Sequence, residues 1–196
     1  RFVQDPYPAY DRMRALGPLV YWQDYALPCT TSFAATNAVL RDRRFGRVPL
    51  EPPTIPPHLA PFYAIEAHSM LELEPPRHTH LRGLVLRAFT SRRIAALAPE
   101  IDALAHGLID TLPRDEFDLL EHFARPLPVI IIARLLGVPE SMTADLLRWS
   151  NAMVGMYQAG RSRAMEDAAA VAATEFSAFL RDYIDARRAR PADDLI

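Results

Sequence analysis

In the stretch EPPRHTHLRGLVLRAFT (74–90), His78 and Arg82 stand four residues apart behind the Pro75-Pro76 pair. On a helix that spacing puts both side chains on one face, one turn apart. Prolines suit a helix start, where unpaired amides and the helix dipole favour an anion. The pair can therefore grip a carboxylate or phosphate through charge-assisted bonds, for which the planar Arg fork is well shaped. From spacing alone, a solvated basic face is the commoner reading. His78 and His80 are two apart and point to different faces, so they make a poor metal pair. With Cys29 as the single cysteine and no H-E-x-x-H, no metal-ligating set is expected. Cys29 lies in an apolar stretch and reads as a small hydrophobe. His58, His68, His106 and His122 read as ordinary hydrogen-bonding residues. G-x-S-x-G, a phosphate-binding glycine loop and G-x-G-x-x-G are all missing, so no residue is assigned a catalytic role.

The elements that must position this pair belong to a chain of 196 residues that is 50% hydrophobic, enough for a sizeable core. Its formal charge of −2 argues against a nucleic-acid binder, as does the lack of a helix-turn-helix signature. All 22 basic residues are arginine. A lone cysteine excludes an internal disulfide and fits a reducing cytoplasm. The longest apolar run, Leu127 to Val138, is interrupted by Pro128 and Arg134 and falls short of the roughly 20 residues of a membrane span. No secretory signal pattern is present, but the chain opens at Arg1, so a removed upstream segment stays possible.

Asp5-Pro6 suggests an N-cap and first helical residue, with the helix stopping at Gly17-Pro18. LVYW (19–22) and LPCTTSF (27–33) read as two short strands, followed by a helix from about Ala35 to Arg41. Pro49, Pro52, Pro53, Pro56, Pro57 and Pro61 make 48–62 a loop, with at most a short helix near 58–66. From Pro76 onward nearly everything is helical. PRHTHLRGLVLRAF is one segment, SRRIAAL starts on a Ser91 N-cap, and APEIDALAHGLIDTL repeats its apolar residues at helical spacing. FDLLEHF reads as a short extended or turn region. LPVIIIARLLG is apolar on nearly every face and so reads as a buried central helix, stopped by Gly137 and Pro139. A helix begins within PESMTADLLRWSNAMVGM. A long one runs from about Arg163 to Ala189, amphipathic through Val171, Phe176, Phe179, Leu180, Tyr183 and Ile184. Leu195 and Ile196 look like the start of a further helix. The chain is mainly α with a small β element near its N-terminus.

At SMLELEPPRHTHLRGLVLRAFTSRRI the sequence resembles the soluble bacterial class of cytochrome P450 monooxygenases. That family has an acidic residue before Pro-Pro, then H-T-x-L-R, then an apolar run ending in A-F-T-x-R. The corresponding residues are Glu74, Pro75, Pro76, His78, Thr79, Leu81, Arg82, Ala88, Phe89, Thr90 and Arg93. DPYPAYDRMRALGPLVYW, AVLRDRRFG, FDLLEHFARPLPVIIIARLLGVP and RRARPADDLI follow the family's order and spacing too. His80, where the family often has Arg, and Arg77, where it often has an acidic residue, depart from the pattern. PCTTSFAAT is a poor copy of the usual strand and helix start.

The resemblance implies a single P450 domain of which residues 1–196 are roughly the N-terminal half. The central oxygen-activating helix, the E-x-x-R helix and the cysteine loop that ligates iron would lie beyond Ile196, and no metal ligand falls within the sequence. It implies haem b as cofactor, with His78 and Arg82 bonding a propionate and Met70 and Leu71 at the haem edge. The loop at 48–69 and the turn at about 153–163 would cover the substrate pocket, for which Phe62, Tyr63, Met153, Met156 and Tyr157 are candidates; core packing is the alternative for each. Arg87, Arg92 and Arg93 would lie where a ferredoxin-type or flavin reductase donor docks, with a solvated arginine face as the alternative. The expected activity of the complete enzyme is insertion of one oxygen atom from O2 into a small hydrophobic substrate, the segment alone being inactive. The rival expectation is a non-enzymatic helical binding module, or a truncated or decayed P450.

Overall fold

The computed structural model describes residues 2–191, the side chains of Ala88 and Arg93 excepted. The expected helix start at Leu195 and Ile196 lies outside the described residues. The chain falls into two compact units, Arg1–Arg47 and Val48–Ile196.

In the first unit, helix α1 (Tyr7–Leu16) is capped by Pro6, whose carbonyl accepts from Ala9 N and Tyr10 N. The expected Asp5 cap therefore moves one residue along the chain. Gly17 ends the helix at a φ of 139°, which a side chain rarely tolerates. Strands β1 (Leu19–Trp22) and β2 (Leu27–Thr30) pair antiparallel, with Leu19 opposite Thr30 and Trp22 opposite Leu27. β2 is shorter than expected. Ser32 caps the next helix through its hydroxyl, which accepts from Ala35 N at 3.2 Å, so Phe33 opens α2 (Phe33–Arg41) instead of closing the strand. Trp22 meets Phe2 and Tyr25 edge-on at 5.5 and 4.9 Å.

The second unit is helical. A 3-10 turn (Pro57–Leu59) leads into α3 (Ala60–Glu66), the short helix the proline-rich segment permitted. Then come α4 (Arg77–Ala88), α5 (Ser91–Ala96) and α6 (Ala98–Asp110). α5 includes Ser91 instead of starting after it, and the Thr90 carbonyl accepts from Ile94 N at 3.0 Å. FDLLEHF is not extended: Phe117 and Asp118 lie outside any element, and the chain turns helical from Leu119. Asp118 Oδ1 accepts from Leu120 N at 2.8 Å and Glu121 N at 3.2 Å, and a π turn (Leu120–Ala124) follows. α7 (Pro126–Leu135) ends in a Schellman arrangement: Val138 N donates to Ala133 O at 2.8 Å, Gly137 N to Arg134 O at 3.0 Å, and Gly137 sits at φ 68°. Ala133 is fully buried while Ile132 is 52% exposed, so α7 is less enclosed by the described residues than its composition suggested.

α8 (Thr143–Val154) packs along α9 (Arg163–Ala189), with a 3-10 turn (Gly155–Tyr157) between them. Ser162 caps α9 by accepting from Met165 N. Ala169, Ala172 and Ala173 are buried on α9, and their small side chains let neighbouring helices approach closely. The core gathers Leu59, Phe62, Met156, Ala169 and Ala173, with Tyr63, Ile65 and Met153 against it. Val171 is 55% exposed and does not belong to the core-facing stripe expected of it.

Candidate functional site

The stretch ahead of α4 is a series of tight turns: Ser69 N donates to Glu66 O, and Glu72 N to Ser69 O. These turns half-bury Met70 and leave Leu71 exposed. Pro75-Pro76 then brings the chain into α4, whose first amides find partners just upstream, His78 N on Glu74 O and His80 N on Pro76 O. Arg77 turns back onto this loop, its Nη2 lying 3.2 Å from His68 Nδ1. His78 is half-buried and Arg82 exposed, and neither side chain has a hydrogen-bond or ion-pair partner among the described residues. They share one helix face as their spacing requires, while His80 leaves on another. The result is two nitrogen donor groups one turn apart, open to an acceptor that the described chain does not supply.

The second half of α4 carries exposed apolar side chains. Leu84, Val85 and Leu86, with Phe89 at its C-cap, are 39–56% exposed, and Ile94 on α5 is 45% exposed. Arg87 and Arg92 are exposed too; the side chain of Arg93 lies outside the described residues. No group of three or more His, Cys, Asp or Glu side chains placed to hold a metal occurs among the described residues. Cys29 is half-buried in the other unit, its thiol 3.8 Å from Leu27 O.

Of the five apolar candidates, Phe62, Tyr63, Met153 and Met156 come together, and Tyr157 does not join them. Phe62 and Met156 are buried in the core cluster, with Tyr63 and Met153 packed against it. Tyr157 is exposed and donates its hydroxyl to Glu66 at 2.9 Å. Sequence reasoning missed what lies at the rim of this cluster. His58 Nε2 meets Glu166 Oε2 at 2.7 Å, and Arg161 Nε donates to Glu166 Oε1 at 3.0 Å. The His58 hydrogen bond chiefly, helped by Arg161, holds the Glu166 carboxyl below the ordinary glutamate range, against partial desolvation. His58 and Glu166 are 108 residues apart, and no local pattern announces such a pair.

No family model matches the sequence. The chain is 36% identical over 201 residues to the cytochrome P450 monooxygenase PikC of Streptomyces venezuelae, covering 100% of this chain and 46% of that protein. It is 33% identical over 202 residues to a vitamin D(3) 25-hydroxylase of Pseudonocardia autotrophica, covering 100% of this chain and 47% of that one. Its fold superimposes with a TM-score of 0.91 on P450BioI, crystallised with an acyl carrier protein bearing hexadec-9Z-enoic acid, at 28% identity over 99% of this chain and 51% of that one. The chain belongs to the cytochrome P450 family. It spans about half the length of the curated relatives it matches, and its helices and two-stranded sheet are the N-terminal half of the P450 fold. The donor set of His78 and Arg82 fits a carboxylate such as a haem propionate. A neutral imidazole offers one N–H and a guanidinium a fork of several, both suited to a carboxylate.

Proposed function

We propose that this chain is part of one haem-thiolate monooxygenase domain, whose complete form inserts one oxygen atom from O2 into a hydrophobic organic substrate. The supporting observation is the unpartnered His78–Arg82 pair at the start of α4, in a chain whose fold follows that of P450BioI along nearly its whole length. Haem b, when bound, supplies the oxygen chemistry, as cofactors do generally. This chain's residues bind and orient. Arg82 and His78 donate to one propionate, Met70 and Leu71 stand at the haem edge, and 48–69 with the turn at about 153–163 closes the access region. Phe62, Tyr63, Met153, Met156 and Tyr157 give that region its apolar character. Arg87, Arg92 and Arg93 present positive charge to an acidic electron donor, a ferredoxin-type or flavin reductase, and speed its approach at low salt. The relatives' different names leave the substrate itself open.

The test is haem retention in the complete enzyme. A hydrogen bond to a charged group is worth about 1.5–3 kcal/mol, and about 1.4 kcal/mol is one decade. Arg82→Ala should therefore release haem to an apo-globin acceptor roughly ten- to a hundredfold faster. His78→Ala should cost less, since it removes one bond and no full charge. The double variant should be non-additive because both donors share one acceptor. His80→Ala is the control, and faster haem loss from it than from Arg82→Ala would contradict the placement of α4.

A further inference from the structure

Helix α1 carries Ala9, Arg12, Met13 and Leu16 at three- and four-residue spacing, so the four lie on one face. Across from them β1 sends Val20 and Trp22 to one side by strand alternation. Between the two elements is a cavity of about 580 Å3, which the turn Gln23–Tyr25 also lines. Its size falls within the roughly 300–1,000 Å3 of small-molecule sites, and its walls are mainly apolar, as theirs are. Ala9, Met13, Val20 and Trp22 are half-buried there, whereas Leu16, Tyr21 and Tyr25 are 50–80% exposed at the edge. Apolar side chains gathered in water around a hollow, instead of scattered singly, mark a binding surface. The rings stand steeply to one another. Trp22 meets Phe2 at 82° and Tyr25 at 74°, an edge-to-face pattern that a further ring can extend.

Arg12 is the one charged residue on this face of α1. Its side chain is exposed and has no hydrogen-bond or ion-pair partner among the described residues. The nearby acids do not serve it. Asp24 accepts from Trp22 Nε1 at 3.2 Å, and Asp11 pairs with Arg14. Asp5 lines an adjoining cavity of about 520 Å3 with Phe2 and Arg12, yet makes no ion pair with Arg12. The hollow thus sets one uncommitted guanidinium beside ring-bearing walls. A cation would be repelled there and a neutral ligand would leave the charge unused, whereas a carboxylate matches the planar fork.

We propose that the hollow between α1 and β1 binds a small aromatic carboxylate, with its acid group on Arg12 and its ring against Leu16, Trp22 and Tyr25. These residues all lie in the Arg1–Arg47 unit, and none is assigned above to haem, substrate or electron donor. The site goes beyond the monooxygenase reading and stands independently of it.

The experiment uses the complete haem-bound enzyme labelled with fluorotryptophan, with naphthoate as probe and naphthamide as its uncharged counterpart. Trp22→Phe identifies the Trp22 signal in the fluorine NMR spectrum, and titrations follow that signal. Naphthoate should shift it saturably. Arg12→Gln should weaken naphthoate binding by about tenfold, the scale of one charge-assisted hydrogen bond, and leave naphthamide unchanged. Leu16→Ser, at a position that is 80% exposed and so not needed for folding, should weaken both probes alike. A Trp22 signal that naphthoate does not move overturns the proposal. So does naphthoate affinity that survives Arg12→Gln, or a loss there shared equally by naphthamide, since neither singles out the acid group. Undiminished binding to Leu16→Ser would overturn it as well, because the ligand would then lie off this wall.

Discussion

Glu175 shows how a single carboxylate on α9 can fix a neighbour. Trp149 donates its indole N–H to Glu175 at 2.7 Å, and Arg148 pairs with the same group at 2.8 Å. The indole bond first, then the arginine, hold the Glu175 carboxyl below the ordinary glutamate range. A carboxyl whose folded value is depressed contributes stability that is present above the unfolded value, about 4.3. That contribution is lost as the pH falls through the lower folded value. In a Trp22→Phe background, the emission of Trp149 should therefore hold steady at neutral pH and shift only in acid, below about pH 4.3. Glu175→Gln should abolish this transition. A transition that survives in the Gln variant would assign it to another group. Trp149 itself was legible only as an apolar residue on a helix, because its partner lies 26 residues away. His78 and Arg82 were legible as a pair because their relation is local, a matter of helix spacing that the backbone of α4 reproduces.

At the scale of the element, local signals read well and long-range packing read poorly. β1 and α9 have the bounds that alternation and apolar spacing suggested. Phe33 was misjudged because a Ser N-cap outweighs aromatic strand preference. FDLLEHF turns helical after Asp118 because that carboxylate, with Glu121 three residues on, makes a helix start that outweighs the extended reading. Val171 was placed inward because it is apolar, whereas Ala169, Ala172 and Ala173 took the buried stripe for their size. That seam makes a prediction. Ala173→Leu adds methylenes where none fit, which should cost about 1–3 kcal/mol of stability. Val171→Leu, facing solvent, should stay within about 0.5 kcal/mol. Urea unfolding midpoints of the two variants measure the contrast, and equal midpoints would show that the seam has room to spare.

For the whole molecule, what the sequence withheld is the other half of the acceptor. The fold class was legible because the family's motifs run in order from end to end. The cofactor and the electron donor proposed above are not residues of this chain, so the sequence carries only the side chains proposed to meet them. Cys29 is the one thiol of residues 1–196, and it is half-buried in β2 with its Sγ 3.8 Å from Leu27 O. Residues 1–196 expressed alone, supplied with haem and reduced, should therefore give a carbon-monoxide difference spectrum without the absorption typical of thiolate-ligated haem. Appearance of that absorption would make Cys29 an axial ligand and overturn the division of labour proposed above.

The apolar side chains exposed along α4 and α5, Leu84, Val85, Leu86, Phe89 and Ile94, also have a consequence in time. A ribosome adds roughly 5–20 residues per second, so the hundred or so residues after Ile94 take on the order of 5–20 s to make. None of them, through Pro191, covers these side chains once folded, so synthesis of this length of chain never closes them off. The nascent protein displays these apolar side chains throughout, the kind of surface a holdase chaperone recognises. Ribosome-stalled chains ending at residue 196 should cross-link to such a chaperone through 84–94, and Leu86→Glu should thin that cross-link while leaving His78 and Arg82 in place.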